Sequence, residues 1–322
     1  MRTYVIRRIL QMILLFIGIS AILFLIFNAM GDPFAQLTAS SIIGPEDIIR
    51  LRHQWGFDLP VYLRFFKWFL AMIRGNWGVS IFGGGRPITE LIGNAISWTL
   101  KFSILAFILS VGIGIPTGIY SALHQHSIFD NIFTIFAFFG MSMPTFWFGF
   151  MLMIIFGLKL HLLPVGGVMT PGMETASFFL RILDQIKYFV LPVFVLSFNG
   201  IGSWTRYTRT SMLEVLHQDY LRTARAKGLS ERVVIIKHAL KNALIPIVTL
   251  LGAHLPALIS GAMVTETVFS IPGMGRLTYE AMMNNDYMLA MACLLLDSIF
   301  LIIGNFIADI MYAVIDPRIK YS

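Results

Sequence analysis

Six stretches of this chain are apolar for the length that a helix needs to cross a bilayer, and no other feature narrows its fold as much. A crossing takes roughly 20 predominantly apolar residues. Residues 9–29 follow the pair Arg7-Arg8, and 102–122, 132–158, 188–205 and 242–265 contain no Asp, Glu, Lys or Arg. The sixth, 287–315, is interrupted only by Asp297 and Asp309. Hydrophobic residues make up 57% of the 322-residue chain and charged residues 13%, with a mean hydropathy of +0.77. A soluble globule carries about 25% charged residues, so most of this exterior must face lipid. The expectation is an all-α integral membrane protein with six transmembrane helices. The first stretch reads as a retained helix rather than a cleaved signal peptide. Its apolar run exceeds the usual length of roughly 7–15 residues, and no small-x-small cleavage site follows.

Lysine and arginine counts set the orientation. With the N-terminus inside, Arg2, Arg7 and Arg8 face the cytoplasm, as does segment 206–242 with eight more: Arg206, Arg209, Arg222, Arg225, Lys227, Arg232, Lys237 and Lys241. The outside loops hold Lys159, Arg181 and Lys187 in one and Arg276 in the other, and Arg318 and Lys320 end the chain inside. Both termini are therefore expected in the cytoplasm. Only Glu214, Asp219 and Glu231 offset the eight cations, so this segment carries +5 of the chain's net +7. Such a patch suits anionic lipid headgroups or an acidic protein rather than a nucleic acid.

The sequence excludes several chemistries. The lone Cys293 rules out a disulfide framework and any Cys-x-x-Cys site within the chain. Neither His-Glu-x-x-His nor a glycine-rich loop ending Gly-Lys-Ser/Thr occurs. No catalytic residue, cofactor site or metal site is expected in this chain.

The chain is read as a first span in 1–30, an external region in 31–97, and a five-helix core in 98–322 that includes the cytoplasmic segment 206–242. Within the external region, residues 61–74 are apolar but too short to cross. Arg64, Lys67, Ala71 and Arg74 share one helical face, which predicts an amphipathic helix either on the outer membrane surface or inside a small external subdomain. Gly83-Gly84-Gly85 reads as a flexible turn. In the cytoplasmic segment, Asp219 to Lys227 are largely good helix formers and Gly228 supplies a helix end. Ser230 is placed to cap a second helix from about Glu231 toward Leu244 that leads into the fifth span. A push on such a unit would tilt the span.

At these residues the chain resembles the permease subunits of ABC importers of the oligopeptide/dipeptide/nickel branch. The peptide branch typically reads Asp-Tyr-x-Arg-Thr-Ala-Arg-Ala-Lys-Gly-Leu, then His-Ala-Leu-x-Asn-Ala-x-x-Pro. Here Asp219 to Leu229 and His238 to Pro246 follow it closely. Arg74-Gly75-Asn76-Trp77-Gly78, Met143-Pro144-Thr145-Phe146-Trp147, the run from Phe269 to Arg276 and Asp316-Pro317-Arg318-Ile319 extend the likeness along the chain. The extra N-terminal region is similar to that of the first, B-type permease. The resemblance implies a type I ABC importer transmembrane fold in a prokaryotic inner membrane, a second homologous permease, two ATPase subunits that bind ATP and magnesium, and an external solute-binding protein. It also implies that Asp219, Tyr220, Arg222, Thr223, Ala224, Arg225, Lys227 and Gly228 form the contact with an ATPase. Cargo would be peptides, with oligosaccharides or nickel chelates as alternatives.

Asp297, His254 and Lys101 are polar groups in or beside spans, expected to line a solute pathway or to hold helices together. Asp309 is expected to be structural. Pro116, Pro144, Pro192 and Pro256 are expected to interrupt spans, and Gly114 to Gly118 offers a small-residue face. An ion-coupled secondary transporter is the competing reading, but no inverted repeat is evident and that mechanism has no use for the large basic loop. A membrane-embedded enzyme would need a paired catalytic set, and only scattered single residues are present.

Overall fold

The computed structural model describes residues 2–31, 44–54, 56–81 and 83–315. The stretch Asp316-Pro317-Arg318-Ile319, and with it the cationic end at Arg318 and Lys320, lies outside the described residues. Among the described residues the chain is helical apart from one isolated β-bridge between Val79 and Pro87. Among the described residues two compact units emerge, one drawn mainly from within 2–96 and 277–303, the other mainly from 97–276 and 304–315.

In the first unit, α1 (Arg2–Ala29) is followed by α2 (Pro45–Gln54) and α3 (Val61–Ile73). The short apolar helix anticipated at 61–74 exists as α3, packed against the first span. Phe65, Trp68 and Phe69 meet Phe16 and Phe24 of α1 at ring separations of 5.5–5.9 Å. Arg64 folds over the Phe57 ring at 4.4 Å, so aromatic faces take up its charge. The glycine triplet is indeed a turn. Gly84 and Gly85 take φ values of +73° and +75°, open to glycine at no steric cost. The Ser80 hydroxyl accepts from Gly83 N at 2.8 Å and donates to the buried Asp286 at 2.5 Å. Asp286 in turn accepts from Leu289 N at 3.2 Å, capping the last long helix.

The remaining long helices are α4 (Ile88–Leu123), α7 (Phe178–Leu216) and α14 (Tyr287–Ile315). The second span was expected from Phe102, but its helix already begins at Ile88. Residues 88–96 are too polar on one face to register as a span, yet Ile88, Ile92 and Ala95 are buried. The third span is not straight. α5 (Ile128–Ser142) and α6 (Thr145–Leu152, continued by a π-helical stretch Met153–Lys159) meet at 102°. Pro144 forces Met143 out of the helical region, to φ −80° and ψ 126°.

By contrast Pro116 and Pro192, also expected to interrupt spans, sit inside unbroken helices. Beside Pro116, the Thr117 hydroxyl bonds the carbonyls of Ile113 and Gly114 at 2.8 and 3.0 Å. The fifth span is a composite. α9 (Glu231–Val233), a π-helical stretch Val234–Leu240, α10 (Lys241–His254), α11 (Ala257–Ser260) and α12 (Met263–Val268) follow one another, broken at Pro256 and at Gly261, whose φ is +78°. α13 (Met274–Met283) precedes α14.

Among the described residues, four helices are long and apolar enough to cross a membrane: Ile6–Ala29, Ile88–Leu123, Glu231–Val268 and Tyr287–Ile310. The bent pair α5–α6 makes a fifth by length and composition. The expected span 188–205 lies within the 39-residue α7, which is outside that group.

Within the second unit α7 is the central helix, packed against α5, α6, α10 and α12. Gly114 and Gly118 of α4 press on it. A Cβ on Gly114 would stand 2.6 Å from Trp204 Cβ, and one on Gly118 2.6 Å from the Thr205 carbonyl oxygen. Thr117 and Thr205 hydroxyls bond across this seam at 2.7 Å. The small-residue face foreseen in the sequence is thus a helix–helix contact.

Candidate functional site

The basic segment folds into a rigid stub. α8 (Asp219–Ala226) is one short helix with Asp219 in its first turn and Arg225 in its last, both favourable to the helix dipole. Lys227 caps it, and Gly228 follows at φ +77° with its N–H donating to the Arg225 carbonyl at 2.9 Å. That left-handed position ends the helix, as the sequence led us to expect. Ser230 does stand at the N-cap of the next helix, but its side chain makes no capping bond. The turn is instead clamped by Arg225, whose guanidinium donates to both carboxylate oxygens of Glu231 at 2.8 and 3.1 Å. Tyr220 accepts from the Asn242 side chain at 3.0 Å, tying α8 to the start of α10.

Beneath this polar frame lies an apolar core: Leu221 and Ala224 of α8, Val234 and Ala239 of the π-helical stretch, Ala243 of α10, Met212 of α7 and Ala122 of α4. The π-helical stretch makes this possible. Positions five apart in an α-helix point about 140° away from each other, whereas i→i+5 bonding brings Val234 and Ala239 onto one face. Ser211 of α7 adds a bond to the Ala243 carbonyl at 2.7 Å. α8 is therefore packed on both the fifth span and α7.

The expected contact residues divide. Asp219, Tyr220, Arg222, Thr223, Arg225, Lys227 and Gly228 are exposed, and the Arg222 side chain retains 75% of its accessible surface. Ala224 does not join them. It is buried against its own chain, so the close approach its small size allows is between α8 and the π-helical stretch.

Two of the three scattered polar residues meet aromatic rings. Lys101 lies over the Trp98 ring at 4.0 Å, and His254 stands against Trp204 with ring centres 5.2 Å apart. Asp297 is half-buried on α14, one turn beyond the buried Cys293.

Four buried acids among the described residues escaped sequence reasoning, Asp184, Asp286, Asp130 and Glu266, and the last two are the most heavily bonded. Asp130, at the start of α5, accepts from Arg209 Nε and Nη2 at 2.8 and 3.0 Å, from the His126 N–H at 3.0 Å and from the Ser121 hydroxyl. Glu266 of α12 is fully buried. It accepts from the Thr99 hydroxyl at 2.8 Å and from Arg276 N at 2.9 Å, and Thr99 accepts from Met274 N at 2.8 Å. Gly273 and Gly275 crowd its carboxylate so closely that a Cβ on either would meet it at 2.6 and 3.1 Å. The glycine spacing in the run from Phe269 to Arg276 was the available signal. The glycines admit a buried carboxylate to backbone N–H groups at the end of a span.

The basic stub is thus seated between two long helices, in a chain with several helices apolar enough to cross a membrane. The chain belongs to the family described as the binding-protein-dependent transport system inner membrane component, whose model matches residues 114–321, and the family's N-terminal model matches 1–84. It is thus a multi-pass inner-membrane permease of the ABC importer class. It is 39% identical, over the whole of both chains, to the oligopeptide transport system permease protein AppB of Bacillus subtilis (strain 168). Identity to the dipeptide transport system permease protein DppB of Escherichia coli (strain K12) is 34%, again over the whole of both. Among solved structures, the fold matches the inward-facing MetNI methionine ABC transporter with a TM-score of 0.52 at 15% identity, covering 71% of this chain and 97% of that one. An amino acid ABC transporter crystallised with histidines matches at 0.50 and 14%, covering 72% and 95%.

Proposed function

We propose that the chain spans the membrane six times with both termini in the cytoplasm, forms half of a translocation pathway for peptides together with a second homologous permease, and is driven by two separate ATPase subunits. An external solute-binding protein delivers the cargo. ATP and magnesium belong to the ATPase chains, and this chain supplies conformational change rather than catalysis. The names of the relatives support peptides as cargo. The observation that carries the drive is the stub itself, which exposes Arg222 and Lys227 on a short helix whose buried side, Leu221 and Ala224, is seated on two long helices. A partner closing against α8 moves both helices, because core and clamp leave the stub little freedom of its own.

Reconstitution tests this reading. Vesicles holding this chain with its partner permease and ATPases should accumulate a labelled di- or oligopeptide only when ATP and the binding protein are present. Accumulation by the chain alone under an ion gradient would instead favour a secondary transporter.

A further inference from the structure

Between α5 and α7 lies a crevice of about 160 Å³ whose walls change character along its length. The two helices run antiparallel here, since Asp130 meets Arg209, Gly202 packs on Ala137, and Asn199 reaches the Gly140 carbonyl at 3.2 Å. Thr134, Arg206, Arg209 and Thr210 line one end, and Ala137, Phe138, Met141 and Thr205 line the rest. From Thr134 to Met141 the crevice follows α5 for about 10 Å.

No Asp or Glu is among the residues lining it. Arg209 is already neutralised by Asp130, whereas among the described residues the exposed guanidinium of Arg206 meets only the Phe138 ring, at 5.9 Å. Arg206 lies nearly a turn closer than Arg209 to the charge-free stretch 188–205, so one positive charge stands at the edge of the hydrocarbon. A cation there must reach water or a counter-charge. The neighbouring face of α5 is apolar and exposed, with Ile135, Phe136 and Phe139 at 67%, 58% and 55% exposure.

We propose that this crevice holds one anionic phospholipid, with its phosphate on Arg206 and Thr210 and an acyl chain along Ala137, Phe138 and Met141. A guanidinium beside a hydroxyl suits a phosphate diester, and the apolar wall leading away from them suits a chain. A soluble phosphate would use the first feature and not the second. The proposal rests on the membrane reading of α5 and α7, not on coupling to an ATPase, so the two can fail separately.

Native mass spectrometry of the full-length chain in detergent tests it, with phosphatidylglycerol or phosphatidylcholine of identical chains as probes. One phosphatidylglycerol should be retained in preference to phosphatidylcholine. Arg206→Gln should weaken that retention about fivefold, Arg206→Lys should keep most of it, and Arg181→Gln should leave it unchanged. Met141→Trp, which fills the apolar end and leaves the charge, should also lose the lipid. Equal retention of the two lipids would overturn the proposal, as would an unaltered Arg206→Gln or an Arg206→Lys as weak as the glutamine variant. So would competition by glycerol phosphate at equal concentration, which would assign the crevice to a soluble anion.

Discussion

Gly228 is the residue at which the proposed drive depends most closely on backbone geometry. Its φ is +77°, yet a Cβ placed there would touch nothing within 4 Å. The only constraint is therefore the left-handed conformation, which asparagine tolerates and β-branched residues do not. Gly228→Asn should retain most ATP-dependent uptake, and Gly228→Val should lose it with the protein still present in the membrane. Equal uptake by the two would mean that the turn is not required. A second residue-scale test lies at Asp130, whose side chain is 3% exposed and depends on Arg209. Arg209→Ala strands a buried carboxylate and should cost about 3 kcal/mol of stability or more, read as a lower melting temperature in detergent. Adding Asp130→Asn should recover part of the loss. The end of α8 at Gly228 was legible in the sequence because glycine after a run of helix formers has a local meaning. Asp130 and Glu266 were not, since a single acid near an apolar run does not say which serine, threonine or arginine folding will bring to it.

At the level of elements, the sequence conveyed composition better than continuity. Pro144 and Pro116 looked alike as breaks, but only Pro144 became one, with Met143 extended and the helices bent by 102°. What differs is the surrounding packing, because α4 around Pro116 is pressed against α7 through Gly114 and Gly118. That seam predicts a contrast within one helix. Gly118→Val should clash with the α7 backbone and lower the melting temperature, whereas Gly112→Ala, with open space at its Cβ, should be neutral or stabilising by up to about 1 kcal/mol. Ala224 gave a similar lesson. Helix propensity placed it in α8 but could not say which face would turn inward. Because it is packed into the core of the stub, Ala224→Leu should destabilise by about 1–3 kcal/mol, while Ala226→Leu on the exposed side should leave stability nearly unchanged. Thermal unfolding of the two variants checks this directly.

For the whole molecule, the account is one of transmission. Charge-free stretches and the cationic patch pointed to a membrane bundle with a single basic stub, and the structure gives that stub a core and a clamp across its turn. The proposed drive requires an ATPase to seat on the exposed side of α8. The chain has one cysteine, the buried Cys293, so a Cys293→Ala background allows a single thiol to be placed at will. The most direct measurement is bifunctional cross-linking from Arg222→Cys in the assembled complex. A cross-link to an ATPase subunit whose yield changes when ATP is added is the predicted result. A thiol at Arg222 that captures no ATPase in a complex still competent for ATP-driven uptake would contradict the account.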